Sequence, residues 1–244
     1  MAAPWSARTT ARGSRQRNPR RALCSGVRRD RASTAIGLCL ALGGPPAVAL
    51  ACQDLRTPPV VTLLVGQAGL IALAAAVLYL ARRRQDVPWA ALGVRVPGPG
   101  TILGALALAA VYMWIASPLA YGLLRLAGTS DFSAGLARLA VIPVWARAIA
   151  VLVAGVVEEL LYRGYAIERL TWLTGRRWLA GALATLLFSA AHVPLWGVPA
   201  SASLLIAGTI GTAVYLWRRD LVLNLIAHVI TDAAGLLLLA RSAS

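Results

Sequence analysis

The chain has 244 residues, 59% of them hydrophobic and 14% charged, with a mean hydropathy of +0.70. An ordinary soluble domain carries roughly 25% charged residues, so a polar surface of the usual kind is excluded and a membrane protein is expected. The formal charge is +15 and all 24 basic residues are arginine. They cluster beside hydrophobic runs rather than on a face rich in stacking aromatics, which excludes nucleic acid as a partner. Together with the alanine, glycine and proline content, they point to a GC-rich bacterial source.

Residues 1–32 hold nine arginines and one acid, Asp30, and read as a disordered basic arm on the cytoplasmic side with anionic lipid as a candidate partner. Residues 33–52 are long enough to span a hydrocarbon core, with GGPP expected to bend or break the helix midway. The same stretch also fits a signal peptide ending near Ala51. Cys24, Cys39 and Cys52 all lie in this first part of the chain without CxxC spacing, which argues against a disulfide framework or a zinc–thiolate cluster.

Further apolar segments follow at 59–81, 101–124, 148 to about 167, 178 to about 193, 201–217 and 221–240, giving seven candidate spans. The segments at 178–193 and 201–217 are short for a full crossing, so tilt or partial insertion is expected there. The fold expected is an all-α, polytopic transmembrane helix bundle of about six to eight helices. Its parts are the arm at 1–32, N-terminal transmembrane helices at 33–85 and a core at 86–244. Alternating the loops with the N-terminus inside puts 19 arginines on the cytoplasmic side and 5 outside, so the expected location is a multi-pass cell-membrane protein with a cytoplasmic N-terminus.

Ionisable residues inside hydrocarbon are expensive, so each is a functional candidate. The two histidines of the chain, His192 and His228, both fall in expected spans, with Glu158, Glu159, Arg163, Asn224 and Asp232. Glu159 and Arg163 stand at i and i+4 and form a pair on one helix face. Glu158 is rotated about 100° from Glu159 and has no cation at i+4, which leaves it as the working carboxylate. Asn224, His228 and Asp232 repeat every four residues as a polar stripe, in which Asn224 reads as a helix-bonding residue. Phe188 lies one turn before His192, and Pro194 ends that helix. Trp172, Trp178, Trp196 and Trp217 near span ends read as interface anchors.

Three motifs occur in order: Glu158-Glu159-Leu160-Leu161-Tyr162-Arg163 as EExxxR, Phe188 to His192 as FxxxH, and His228 to Asp232 as HxxxD. Over roughly residues 88–240 the pattern resembles the CPBP family, the CAAX prenyl proteases and bacteriocin-processing proteins also called Abi proteins. The resemblance implies an intramembrane endopeptidase in which Glu158 and His192 activate water while His228 and Asp232 form the oxyanion side. Glu159, Arg163 and Phe188 give structural support. The family pattern has Asn in eukaryotic prenyl proteases where this chain has Asp232; an ionised Asp232 repels an oxyanion, so it is protonated or orients His228. No cofactor is favoured, and the rival account is a zinc-dependent metalloprotease with His192, His228 and Glu158 as ligands. The expected partners are a peptide or membrane-protein substrate and the lipid bilayer. Two other classes use the same residues: a proton-coupled carrier in which they form a relay, and a non-catalytic membrane scaffold.

Overall fold

The computed structural model describes residues 30–129 and 132–238. The basic arm lies outside the described residues up to position 29, as does the C-terminal stretch from 239. Helix α1 (Arg31–Gln53) opens on Asp30, whose carboxylate accepts the Ser33 backbone N–H; that donation holds the carboxyl below its usual range. Sequence reasoning expected GGPP to bend or break this helix; it is not broken, and α1 runs through Pro45 and Pro46 as one helix. The residue before Pro45 is Gly44, which has no Cβ to clash with the proline ring, so helical backbone is tolerated there.

Helix α2 (Pro59–Tyr79) passes into a wider π-helical turn, Leu80–Arg84. After the short 3₁₀ turn Trp89–Leu92, α3 (Pro99–Val111) and α4 (Ser117–Leu126) are joined through the π turn Tyr112–Ala116 into one span. A small amphipathic helix, α5 (Ser133–Ala140), precedes α6 (Val144–Glu158), a π-helical segment Glu159–Ile167, and α7 (Glu168–Thr174). Helix α8 (Arg177–Ala191) leads through a four-residue turn of helix, α9 (Val193–Trp196), into α10 (Val198–Arg218). The last helix is α11 (Leu221–Ala233), continued as a π turn Ala234–Leu238. No strand occurs among the described residues.

The protein is an all-α bundle, and among the described residues five helices are long and apolar enough to cross a membrane. They are Arg31–Gln53, Pro59–Arg84, Pro99–Leu126, Arg177–Trp196 and Val198–Arg218, with Leu221–Leu236 as a shorter apolar helix. The two segments expected to be short are 20 and 21 residues long. The extra length comes from Arg177 and the short turn of helix up to Trp196 in the first, and from Val198–Ala200 and Arg218 in the second. The expected span at 148–167 lies in the continuous helix from Val144 to Thr174, whose apolar run is interrupted by Glu158, Glu159 and Arg163.

The π-helical stretch Glu159–Ile167 is the centre of the bundle, and all nine of its residues are buried. It packs against α1, α8 and α11, while α6 lies on α2 and α11, and α8 lies along α10. Lipid is as apolar as leucine, so association here relies on close backbone approach and polar links rather than on hydrophobic burial. Gly155 of α6 faces Val229 of α11 so closely that a Cβ would lie 2.6 Å from the valine methyl. Asn224 donates to the Gly211 carbonyl at 2.8 Å and ties α11 to α10. A Thr185–Thr212 hydroxyl pair at 2.7 Å ties α8 to α10.

One end of the bundle is held by a lock built on the loop before α3. The Leu221 N–H donates to the Gly93 carbonyl at 2.9 Å, and Tyr215 donates to Glu168 at 3.0 Å. Gly93 has φ +79°, and a Cβ there would lie 2.9 Å from the Tyr215 ring. Gly93→Ala is therefore expected to cost about 1–2 kcal/mol from the left-handed backbone alone, with the ring contact adding to it. A thermal melt in detergent, showing a Tm lowered by several degrees, checks this.

Candidate active site

Three separate helices bring the motif residues together. Glu158 is the last residue of α6, His192 caps the C-terminus of α8, and His228 sits midway along α11. The α8 helix stops where it does because Pro194 has no N–H for the carbonyl four residues back. The His192 backbone closes the last turn by donating to Ser189, leaving the imidazole at the helix end.

The Glu158 carboxylate oxygen Oε2 lies 3.7 Å from His192 Nε2 and 3.9 Å from His228 Nε2. Both separations are too long for a direct hydrogen bond and fall within the roughly 5.5 Å spanned by two bonds through one water. The remaining ring nitrogens decide the tautomers. His192 Nδ1 is 2.8 Å from the Phe188 carbonyl, which only accepts, so Nδ1 carries the proton and donates. His228 Nδ1 donates in the same way to Glu159 Oε1 at 3.0 Å. His192 Nε2 thus turns its lone pair toward the Glu158 carboxylate, an arrangement completed by a donor between them, whereas His228 Nε2 faces two carboxylates, Asp232 at 3.4 Å and Glu158 at 3.9 Å.

The shell behind these groups is closed. Glu159 and Arg163 make the i, i+4 pair at 3.1 Å, with side-chain exposures of only 3% and 4%. The Arg163 guanidinium lies over the Phe188 ring, 4.4 Å from its centroid. Phe188 in turn packs on the His192 ring at 4.6 Å and edge-on to Tyr162 at 5.3 Å. Asp232, the most exposed acid of the group at 32%, approaches His228 Nε2 at 3.4 Å.

Every sequence-selected residue is in this cluster, in differing relations. Glu158, His192 and His228 converge; Asp232 approaches His228; Glu159, Arg163 and Phe188 form the wall behind. Asn224 lies on the same helix but is spent on Gly211. What sequence reasoning missed is that Glu159 reaches across to His228 as well as to Arg163. The signal available was the four-residue spacing in α11, but only the packing of α6 on α11 could reveal the partner. Of the aromatic residues near span ends, Trp178 and Trp217 are exposed, whereas Trp196 is half-buried and packs edge-on against Phe132 at 5.5 Å.

The donor types of His192, His228 and Glu158 are those of a catalytic zinc site. Their spacing is not: bonds of about 2.0–2.1 Å in tetrahedral array place ligand atoms about 3.4 Å apart, and the separations here are 3.7 and 3.9 Å. Among the described residues no group of three His, Cys, Asp or Glu side chains is arranged to hold a metal ion. As placed, the residues do not fit the ion, and no step below passes through one.

Comparison with curated proteins and with solved structures returns no match. A family model does match: that of the type II CAAX prenyl endopeptidase Rce1-like proteins, over residues 140–234. The matched stretch runs from the end of α5 to the end of α11 and contains Glu158, Glu159, Arg163, Phe188, His192, His228 and Asp232. Over residues 140–234 the chain is thus similar to the type II CAAX prenyl endopeptidase Rce1-like proteins, and the resemblance read from the three motifs has independent support there.

Proposed function

We propose that the protein is an intramembrane endopeptidase that hydrolyses a peptide bond with a water held between Glu158 and His192. The observation that carries this reading is the convergence of one carboxylate and two oriented imidazoles at water-bridging distance. Glu158 takes a proton from the water as its oxygen attacks the peptide carbonyl carbon. It then gives that proton to the leaving nitrogen when the C–N bond breaks. His192 Nε2 accepts the second hydrogen bond of the water and fixes its direction of attack.

His228 stands across from this pair with carboxylates at both ring nitrogens, Glu159 on one side and Asp232 on the other. That surrounding supports an imidazolium, whose Nε2–H is aimed at the charge developing on the carbonyl oxygen. Asp232 acts through His228, holding the ring, so its own charge need not meet the oxyanion. The substrate class is a peptide or the tail of a membrane protein presented at the bilayer. Arginines at the described end formed by Arg82–Arg84, Arg176, Arg177, Arg218 and Arg219 support a cytoplasmic assignment for that end.

Purified protein in proteoliposomes, supplied with a peptide library, tests the reading. Wild type is expected to cleave and His192→Ala to lose about 10²- to 10⁴-fold in kcat while keeping the wild-type melting curve. Activity that survives prolonged chelation supports the Glu/His water. Activity lost on chelation and restored by zinc moves the water onto a metal. Proton flux without cleavage would make the same residues the relay of a carrier.

A further inference from the structure

Helices α8 and α10 run antiparallel, and between them lies a groove of about 360 Å³ on the outer face of the bundle. It is lined by Trp178, Leu186, Leu205, Ala213 and Leu216, with the mutually bonded Thr185 and Thr212 among them. Those two hydroxyls already have each other as partner, and Thr209 adds a third, so the lining is mostly hydrocarbon. The groove is open to the side, with Leu186 54% and Trp178 63% exposed. It is separate from the candidate active site, which lies at the opposite end of α8.

The mouth of the groove has the reverse character. Arg177 begins α8 and donates from Nη2 to the Leu216 carbonyl, which places it at the groove's end. Its Nε is buried with no hydrogen-bond partner, a donor left over. Arg176 precedes it with an exposed side chain, and Arg218 closes α10 at the same end. Arg177 and Arg218 lie over the rings of Trp178 and Trp217, each at 5.8 Å, and Trp217 is 77% exposed. Indole rings flanked by guanidinium groups at the end of two membrane helices sit at headgroup level. The nearby acids are already occupied: Glu168 by Arg219 and Tyr215, and Asp220 by Thr101 and the Leu223 N–H.

We propose that this groove binds one anionic phospholipid of the surrounding bilayer, with an acyl chain laid between α8 and α10 and its phosphate at Arg176 and Arg177. The charge at one end and the apolar length behind it match the two ends of such a molecule and no neutral lipid as well. A tightly held lipid there wedges α8 against α10, and α8 is the helix that carries His192. The site does not depend on the catalytic assignment.

The test is lipid retention by the full-length protein in nanodiscs of equimolar phosphatidylglycerol and phosphatidylcholine, read by native mass spectrometry. Wild type is expected to retain phosphatidylglycerol over phosphatidylcholine by about five-fold or more. Ala213→Trp, which fills the groove and leaves every arginine in place, is expected to bring the ratio close to one. The double variant Arg176→Glu, Arg177→Glu is expected to do the same without filling the groove. Circular dichroism and gel filtration confirm that each variant is folded. A wild-type ratio near one overturns the proposal. So does a ratio that Ala213→Trp leaves unchanged, since the preference then comes from arginines elsewhere in the chain. Displacement of the retained lipid by a farnesylated peptide also overturns it, because the groove then belongs to a substrate's isoprenoid chain.

Discussion

Glu158→Gln is expected to abolish peptide hydrolysis, lowering kcat by about 10³-fold or more with little change in KM or melting temperature. Glutamine preserves the size and most of the packing of the side chain, and its amide oxygen can still accept a hydrogen bond from water. What it cannot do is take the water's proton. Glu158 makes no direct hydrogen bond to either imidazole, since the distances are 3.7 and 3.9 Å, so the fold loses no bond with the substitution. Steady-state kinetics together with a thermal melt separates the two effects. A variant that melts normally and retains more than about a tenth of wild-type turnover would remove Glu158 from the role of base.

Glu159→Gln should do something different, harming the fold and the chemistry together. From the sequence, Glu159 is the partner of Arg163 and little more, and the expected loss is one of stability. In the structure its Oε1 lies within reach of both Arg163, at 3.1 Å, and His228 Nδ1, at 3.0 Å. Neutralising it leaves a buried guanidinium without its counter-charge, at about 3 kcal/mol, a drop in Tm large enough to read directly. It also removes the anion that fixes the ring of His228, so turnover per folded molecule is expected to fall by about tenfold or more. The two contributions are separated by measuring kcat at a temperature where the variant is fully folded. Full turnover under those conditions would return Glu159 to a purely structural role.

The comparison of these two glutamates shows where sequence reasoning reached and where it stopped. Four-residue spacing on a single helix is visible in the sequence, so the Glu159–Arg163 pair and the His228–Asp232 neighbourhood could be anticipated. The meeting of α6, α8 and α11 is a tertiary fact, and only the order of three motifs hinted at it. The link from Glu159 to His228 depends on how closely Gly155 lets α11 approach, which no spacing on one helix encodes. The π-helical character of Glu159–Ile167 was likewise hidden, because an i+5 hydrogen-bond pattern leaves no mark in a hydropathy profile. A proline pair in a long apolar segment is compatible with a bend as well as a break, and the sequence alone does not separate the two; α1 is unbroken. The arginine distribution, in contrast, needs no tertiary knowledge, and it groups most of the described arginines in or beside the 80–98, 168–177 and 218–221 segments, with Arg56, Arg125, Arg138 and Arg147 among those elsewhere.

The three groups that face one another come from helices that emerge at different times: Glu158 first, His192 34 positions later, and His228 a further 36 positions on. Synthesis from the N-terminus therefore inserts most of the polypeptide before the third of these groups has emerged. On the proposed reading, a half-made or truncated chain lacks one member of the cluster and a nascent molecule cannot cut its neighbours during biogenesis. On that reading competence arrives in one step, when the helix that carries His228 docks.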